Sequence, residues 1–139
     1  MGLDQYAYSK PSEESEEQTE LAYWRKHNRL QGWMENLWED KGRPNFDPKY
    51  HGGGIGDFNC IPVELNLSDI EQLEAHIENK SLPQTGGFFF GDDSYDWDDE
   101  EGNPFPKGDY HYKEDDLKFI EEARQAIQDG LKVYYNCWW

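Results

Sequence analysis

Several sets of residues in this chain have types and spacings that suit chemistry. Arg25 and Arg29 stand one helical turn apart with Asn28 beside them, in a stretch richer in base than its surroundings. Residues 21–50 hold six Lys/Arg (Arg25, Lys26, Arg29, Lys41, Arg43, Lys49) against four acids (Glu35, Glu39, Asp40, Asp47). On one helix face, two guanidinium groups at that spacing project the same way and can clamp an anion, with the Asn28 amide alongside. The plainer reading pairs them with acidic loops of the same molecule. Cys60 with His51 or His76 offers a thiol and a base, but the surrounding charge is acidic and raises a thiol's pKa. A packed strand cysteine is therefore expected. The segment His51-Gly52-Gly53-Gly54-Ile55-Gly56 has amides enough to cradle an oxyanion or a phosphate. No GxSxG elbow accompanies it, and Asp57-Phe58 stand where a phosphate loop needs Lys and Ser/Thr, so it reads as a connector. His27, with an apolar neighbourhood at helical spacing, reads as a core imidazole bonded to backbone or a tyrosine.

The carboxylates are the loudest signal. The chain carries 30 Asp plus Glu against 13 Lys plus Arg, a formal net charge of −17 in 139 residues. Asp92, Asp93, Asp96, Asp98, Asp99, Glu100 and Glu101 crowd one ten-residue tract, and Glu13, Glu14, Glu16, Glu17 and Glu20 another. Such a field repels nucleic-acid backbones and attracts cations and basic protein surfaces. Direct nucleic-acid binding is excluded on that ground. As a calcium loop the 92–101 tract lacks the EF-hand order of ligands and glycine; an irregular, weak divalent-cation site is the one cofactor reading it leaves open. As a catalytic pair the carboxylates would need a cleft and a raised pKa, and exposure screens their mutual effect. What remains is a solvated loop or a partner-facing patch. Acids at i and i+4 on a helix approach the spacing of adjacent phosphates, so the third helix, with Glu114, Asp115, Asp116, Glu121, Glu122 and Asp129, permits nucleic-acid mimicry, although Lys113, Lys118 and Arg124 interrupt it.

These groups need a scaffold. In Leu3–Ser9, Leu3, Gln5 and Ala7 alternate with Asp4, Tyr6 and Tyr8, which predicts a strand. Residues 10–18 read as a solvated acidic connection. From Thr19 to Asp40 the positions Tyr23, His27, Leu30, Met34 and Leu37 step by four and three, with Trp33 and Trp38 on the shoulders. That predicts one long helix capped by Thr19 and stopped at Gly42, its polar face carrying Arg25, Asn28, Arg29, Gly32, Glu35 and Asn36. A strand near Cys60–Leu65 contains Pro62, which marks an edge or a bulge. Ser68-Asp69-Ile70-Glu71 reads as a capping box opening a helix to about Asn79, with Ile70, Leu73 and Ile77 inward. Thr85 to Gly91, with Phe88, Phe89 and Phe90 between glycines, reads as an interior strand. A helix over about Lys113–Asp129 carries Phe119, Ile120, Ala123, Ala126 and Ile127 as its stripe, with Gly130 just past its end. A strand over Leu131–Trp139 closes the chain. The expectation is an α/β (α+β) fold: one compact domain, a four-stranded sheet and three packed helices in βαβαβαβ order, with mobile acidic segments near 10–18 and 92–103.

Six Trp, nine Tyr and seven Phe supply the core that a 35% apolar content would otherwise deny. The two cysteines read as free thiols, and the four histidines show no zinc spacing. No run is apolar enough for a bilayer span, and Met1–Lys10 has neither basic head nor apolar stretch, so the expected location is the cytoplasm.

Taken together, Met1-Gly2-Leu3-Asp4 with Tyr6 and Tyr8, then Tyr23-Trp24-Arg25-Lys26 with Asn28 and Trp33, then Leu82-Pro83-x-Thr85-Gly86-Gly87-Phe88-Phe89-Phe90-Gly91, and a closing aromatic strand, resemble a family of small proteins of tailed bacteriophages and bacteria. Family members usually carry Ser where this chain has Asp92, and the dense acid after it is an elaboration. The resemblance implies a phage-type domain in the host cytoplasm and brings no catalytic residues. Under it, the expected role is a non-enzymatic accessory protein, an inhibitor or nucleic-acid mimic, that meets a basic host protein through its acidic face. The alternative is a small enzyme or anionic-ligand domain built on Arg25 and Asn28. The motif residues Asp4, Arg25, Asn28 and Thr85 converge at one end of the sheet if the first strand, first helix and Phe strand are neighbours.

Overall fold

A computed structural model describes residues 3–44, 46, 58, 60–83, 85 and 112–138. The elements are β1 (Asp4–Lys10), β2 (Thr19–Arg25), α1 (Asn28–Asp40), β3 (Val63–Leu65), α2 (Leu67–Glu78), α3 (Lys113–Gln128) and β4 (Lys132–Trp138). They make one α+β domain with three helices and a four-stranded sheet in the order β2-β1-β4-β3. Every pairing is antiparallel. The expected Phe88–Phe90 strand, the His51–Gly56 segment and the Asp92–Glu101 tract, with its six candidate site residues, lie outside the described residues.

Alternation builds the sheet. Along β1, Gln5, Ala7 and Ser9 are buried while Asp4, Tyr6, Tyr8 and Lys10 are partly open, the pleat turning alternate side chains to opposite faces. Register carries this across the sheet: Trp24, Val133, Tyr135, Cys137, Val63 and Leu65 share the buried face. The helices cover it. Leu30, Met34 and Trp38 of α1, Ile70, Leu73 and Ile77 of α2, and Phe119, Ile120 and Ala123 of α3 are all buried. Trp24 meets Phe119 edge-on at 5.2 Å, and Phe58 stacks on Tyr135 at 6.2 Å. Each large ring so buried contributes about 2–3 kcal/mol.

The long helix expected from Thr19 is a correction. Residues 19–25 are strand β2, and α1 starts at Asn28. The step from Tyr23 to His27 to Leu30 mimics a helical stripe but runs across two elements. Lys26 lies between them at φ 58, a left-handed turn that ends the strand, and its N–H donates to the Leu3 carbonyl (2.8 Å). Pairing with β1 overrides local propensity, because the strand buries Trp24 and sets Tyr23 on Tyr6 at 5.2 Å. Asn28 and Gly32, expected on a polar face, are buried.

Other differences are smaller. The capping box at α2 uses Asn66 and Asp69, each side chain bonded to the other's amide, two residues ahead of the expected Ser68 and Glu71. Cys60 precedes β3 at φ 64 and is exposed, where a packed strand cysteine was expected; its N–H donates to the Cys137 carbonyl (2.8 Å). Among the described residues β3 is an edge strand, as Pro62 indicates. Gly42 and Gly130 take φ 87 and φ 86 just past α1 and α3, as their places after the helices predict.

Candidate functional site

The sequence-derived cluster falls into two groups. Asp4 and Arg25 face each other across β1 and β2, with Arg25 Nη1 3.2 Å from Asp4 Oδ1. The Tyr23 hydroxyl donates to the same oxygen at 2.6 Å, and that bond raises the Tyr23 pKa. Arg29 instead extends from α1 to the Leu82 carbonyl (2.8 Å). Asn28 is the first residue of α1 and only 1% exposed. Thr85 packs against Gly32, where an added Cβ would stand 1.8 Å from its Oγ1. Arg25 and Arg29 therefore belong to a strand and a helix, and do not form the one-helix clamp that their spacing suggested. An anion would have to displace Asp4 from Arg25 and reach a buried amide. Lys41 pairs with Asp69 (2.6 Å) and Arg43 with Glu39 (3.2 Å), so the basic stretch is paired with structured elements.

A buried polar chain, which the sequence did not reveal, threads the core. His27 Nε2 lies 2.8 Å from Asp116 Oδ2, and the Trp24 indole N–H donates to Asp116 Oδ1 (2.8 Å). Gln5 accepts from the His27 amide (2.8 Å) and donates to the His27 carbonyl and to the Tyr135 hydroxyl (both 2.9 Å). Tyr135 in turn donates to Gln31, whose amide reaches Cys137 Sγ (3.3 Å). The Tyr112 ring stacks on His27 at 4.5 Å and its hydroxyl donates to the Arg25 carbonyl.

Burial governs the acidities here. It pushes the Asp116 carboxyl up, against the opposing pull of His27 and Trp24. It carries the Cys137 thiol to about 12 and Tyr135 well above its ordinary value. A thiol held protonated is no nucleophile, and the His27–Asp116 pair, 0% and 1% exposed, touches no solvent. The arrangement satisfies polar groups inside a ring-rich core and fixes β1, β2, α1, α3 and β4 against one another. Cys60 is exposed, yet desolvation raises its pKa too, while His76 is bonded on α2 to Ser81 Oγ (2.9 Å). Among the described residues, no group of three or more His, Cys, Asp or Glu side chains is placed to hold a metal ion, and no helix is long and apolar enough to cross a membrane.

Exposed acids edge two of the surface hollows. The connection from β1 to β2 displays Glu13, Glu14, Glu16 and Glu17, and Glu20 continues it into β2. A groove of 360 Å³ runs between β2 and α3, lined by Glu20, Leu21, Ala22, Tyr23 and Trp24 on one wall and Asp115, Lys118, Phe119 and Glu122 on the other. A second hollow of 300 Å³ lies on the sheet face that, among the described residues, no helix covers, with Tyr6, Tyr8, Gln18 and Asn136 around it and Glu20 again at its border. Glu20 thus joins a carboxylate-edged groove to a tyrosine-floored hollow.

No family model matches the chain, and neither a curated protein nor a solved structure matches it.

Proposed function

We propose that the protein is a non-enzymatic accessory module of phage type, working in the host cytoplasm, that binds a basic surface of a host protein. One observation carries this reading: Glu20 of β2 lines both hollows, and Asp115 and Glu122 of α3 line the groove with it. A field of that sign, on a chain of net −17, draws a cationic partner and speeds its encounter. The tyrosines beside it add faces on which Lys or Arg side chains can rest.

Salt and charge reversal test the reading. Proteins retained from host lysate on the immobilised protein at about 50 mM salt should fall at least tenfold at about 300 mM. They should also be lost on the Glu20→Lys/Asp115→Lys variant. Retention indifferent to both would overturn the proposal.

A further inference from the structure

The groove between β2 and α3 has an uncommon lining. Five successive residues, Glu20 to Trp24, reach it. Consecutive side chains of a strand point to opposite faces, so a hollow touching all five runs along the strand's edge, beside its backbone. β2 is the outermost strand of the sheet and, among the described residues, pairs with β1 alone.

The ladder shows which groups this edge offers. The bond from the Lys26 N–H to the Leu3 carbonyl makes residues 3 and 26 a hydrogen-bonded pair. Such pairs alternate along an antiparallel ladder, so Trp24 and Ala22 turn their amides and carbonyls to β1, and Tyr23 and Arg25 turn theirs outward. The Tyr112 hydroxyl closes the Arg25 carbonyl at one end of the edge. The opposite wall is one face of α3, where Asp115, Lys118, Phe119 and Glu122 recur at helical spacing. Three carboxylates (Glu20, Asp115, Glu122) against one ammonium (Lys118) leave the hollow negative.

We infer that β2 is a docking edge for an extended, basic segment of the partner, which adds to the sheet as a further strand between β2 and α3. The inference rests on the proposed binding of a basic partner and names its place and geometry. Main-chain bonds at Tyr23 and Arg25 supply register, while alternate side chains meet α3 on one side and the tyrosine-floored face on the other. A second copy of this chain would bring another −17 to an edge that is already negative, so charge selects the basic segment over self-pairing.

The probe is the acetylated, amidated heptapeptide Lys-Val-Lys-Val-Lys-Val-Lys, titrated into 15N-labelled full-length protein. Its control is the peptide with Pro for each Val, equal in charge and unable to extend a ladder. The Val peptide should shift the amides of Tyr23 and Arg25 and bind at least tenfold more tightly than the Pro peptide. Equal binding of the two, with the β2 amides unmoved, overturns strand addition and leaves the charge reading standing. Binding of neither overturns both. Shifts of β2 amides with protein concentration alone would assign the edge to self-pairing and overturn the inference. Tyr23→Pro removes the central edge amide and should bring the two affinities together. Asp115→Lys, on the exposed helix surface, should weaken both peptides while keeping their ratio; unchanged affinity would displace the site from this groove.

Discussion

The two faces of the sheet use the same residue types to opposite ends. On the covered face, Gln5, Trp24, Tyr135, His27 and Asp116 are sealed from solvent and bonded to one another. On the open face and its β2 edge, Tyr6, Tyr8, Tyr23, Asp4 and Glu20 have the same phenols and carboxylates, but they meet water. Inside, a polar group is worth what its partners make it worth, and losing one partner strands the other. Outside, each pairing is replaceable by water, so these groups are available to a partner at little cost to the fold. The molecule therefore seals its buried polar network on one face of the sheet and leaves water-exposed phenols and carboxylates on the other face and at the β2 edge.

High pH should break the covered side first and most completely. The native state holds protons on Cys137, Tyr135 and Tyr112 that the unfolded chain releases above their ordinary values of 9.0 and 10.0. Their contribution is therefore full below about pH 9 and is lost as pH rises toward about 12. Circular dichroism and the part of the tyrosinate absorbance that comes from the buried phenols should change together in one cooperative alkaline step. Gradual, independent phenol titration without unfolding would contradict the sealed core.

Asp116→Ala should follow in size, costing about 3 kcal/mol, because the Trp24 indole loses its acceptor and His27 Nε2 its carboxyl partner in a dry site. Urea unfolding measures it. Gly32→Ala should cost about 1–3 kcal/mol, since its Cβ collides with Thr85 and the chain around residue 85 must yield. Thr85→Gly in the same chain should restore most of that loss. On the open side, Arg25→Ala should cost less than about 1 kcal/mol: its guanidinium is 52% exposed and the Asp4 pair is water-accessible. Thiol labelling sharpens the same contrast, with Cys60 reacting in the native state and Cys137 only on unfolding.

Much of the scaffold was legible. Period-two alternation gave β1, and apolar stripes gave α2 and α3 with their inward residues. Each depends on local spacing that tertiary context only reinforces. β2 reads as helix from sequence because its residues alternate weakly, and its strand character comes from β1, a partner that local periodicity cannot display. The His27–Asp116 pair joins positions 89 apart in the chain, beyond any local pattern. A trace of it was present: Asp116 lies three residues before Phe119 and four before Ile120, on the buried stripe of α3, though it reads at first as one more surface acid. The edge groove was invisible for the same reason as β2, since it exists only once that strand and α3 are brought together.

Hydrogen–deuterium exchange of the full chain, with and without the Lys-Val heptapeptide, tests the central claim most directly. Protection should appear in Thr19–Arg25 and along the Asp115–Glu122 wall, while β3, the other edge, keeps its exchange rates. Protection centred on β3, or spread evenly over the acidic surface with none at Tyr23 and Arg25, would contradict the account.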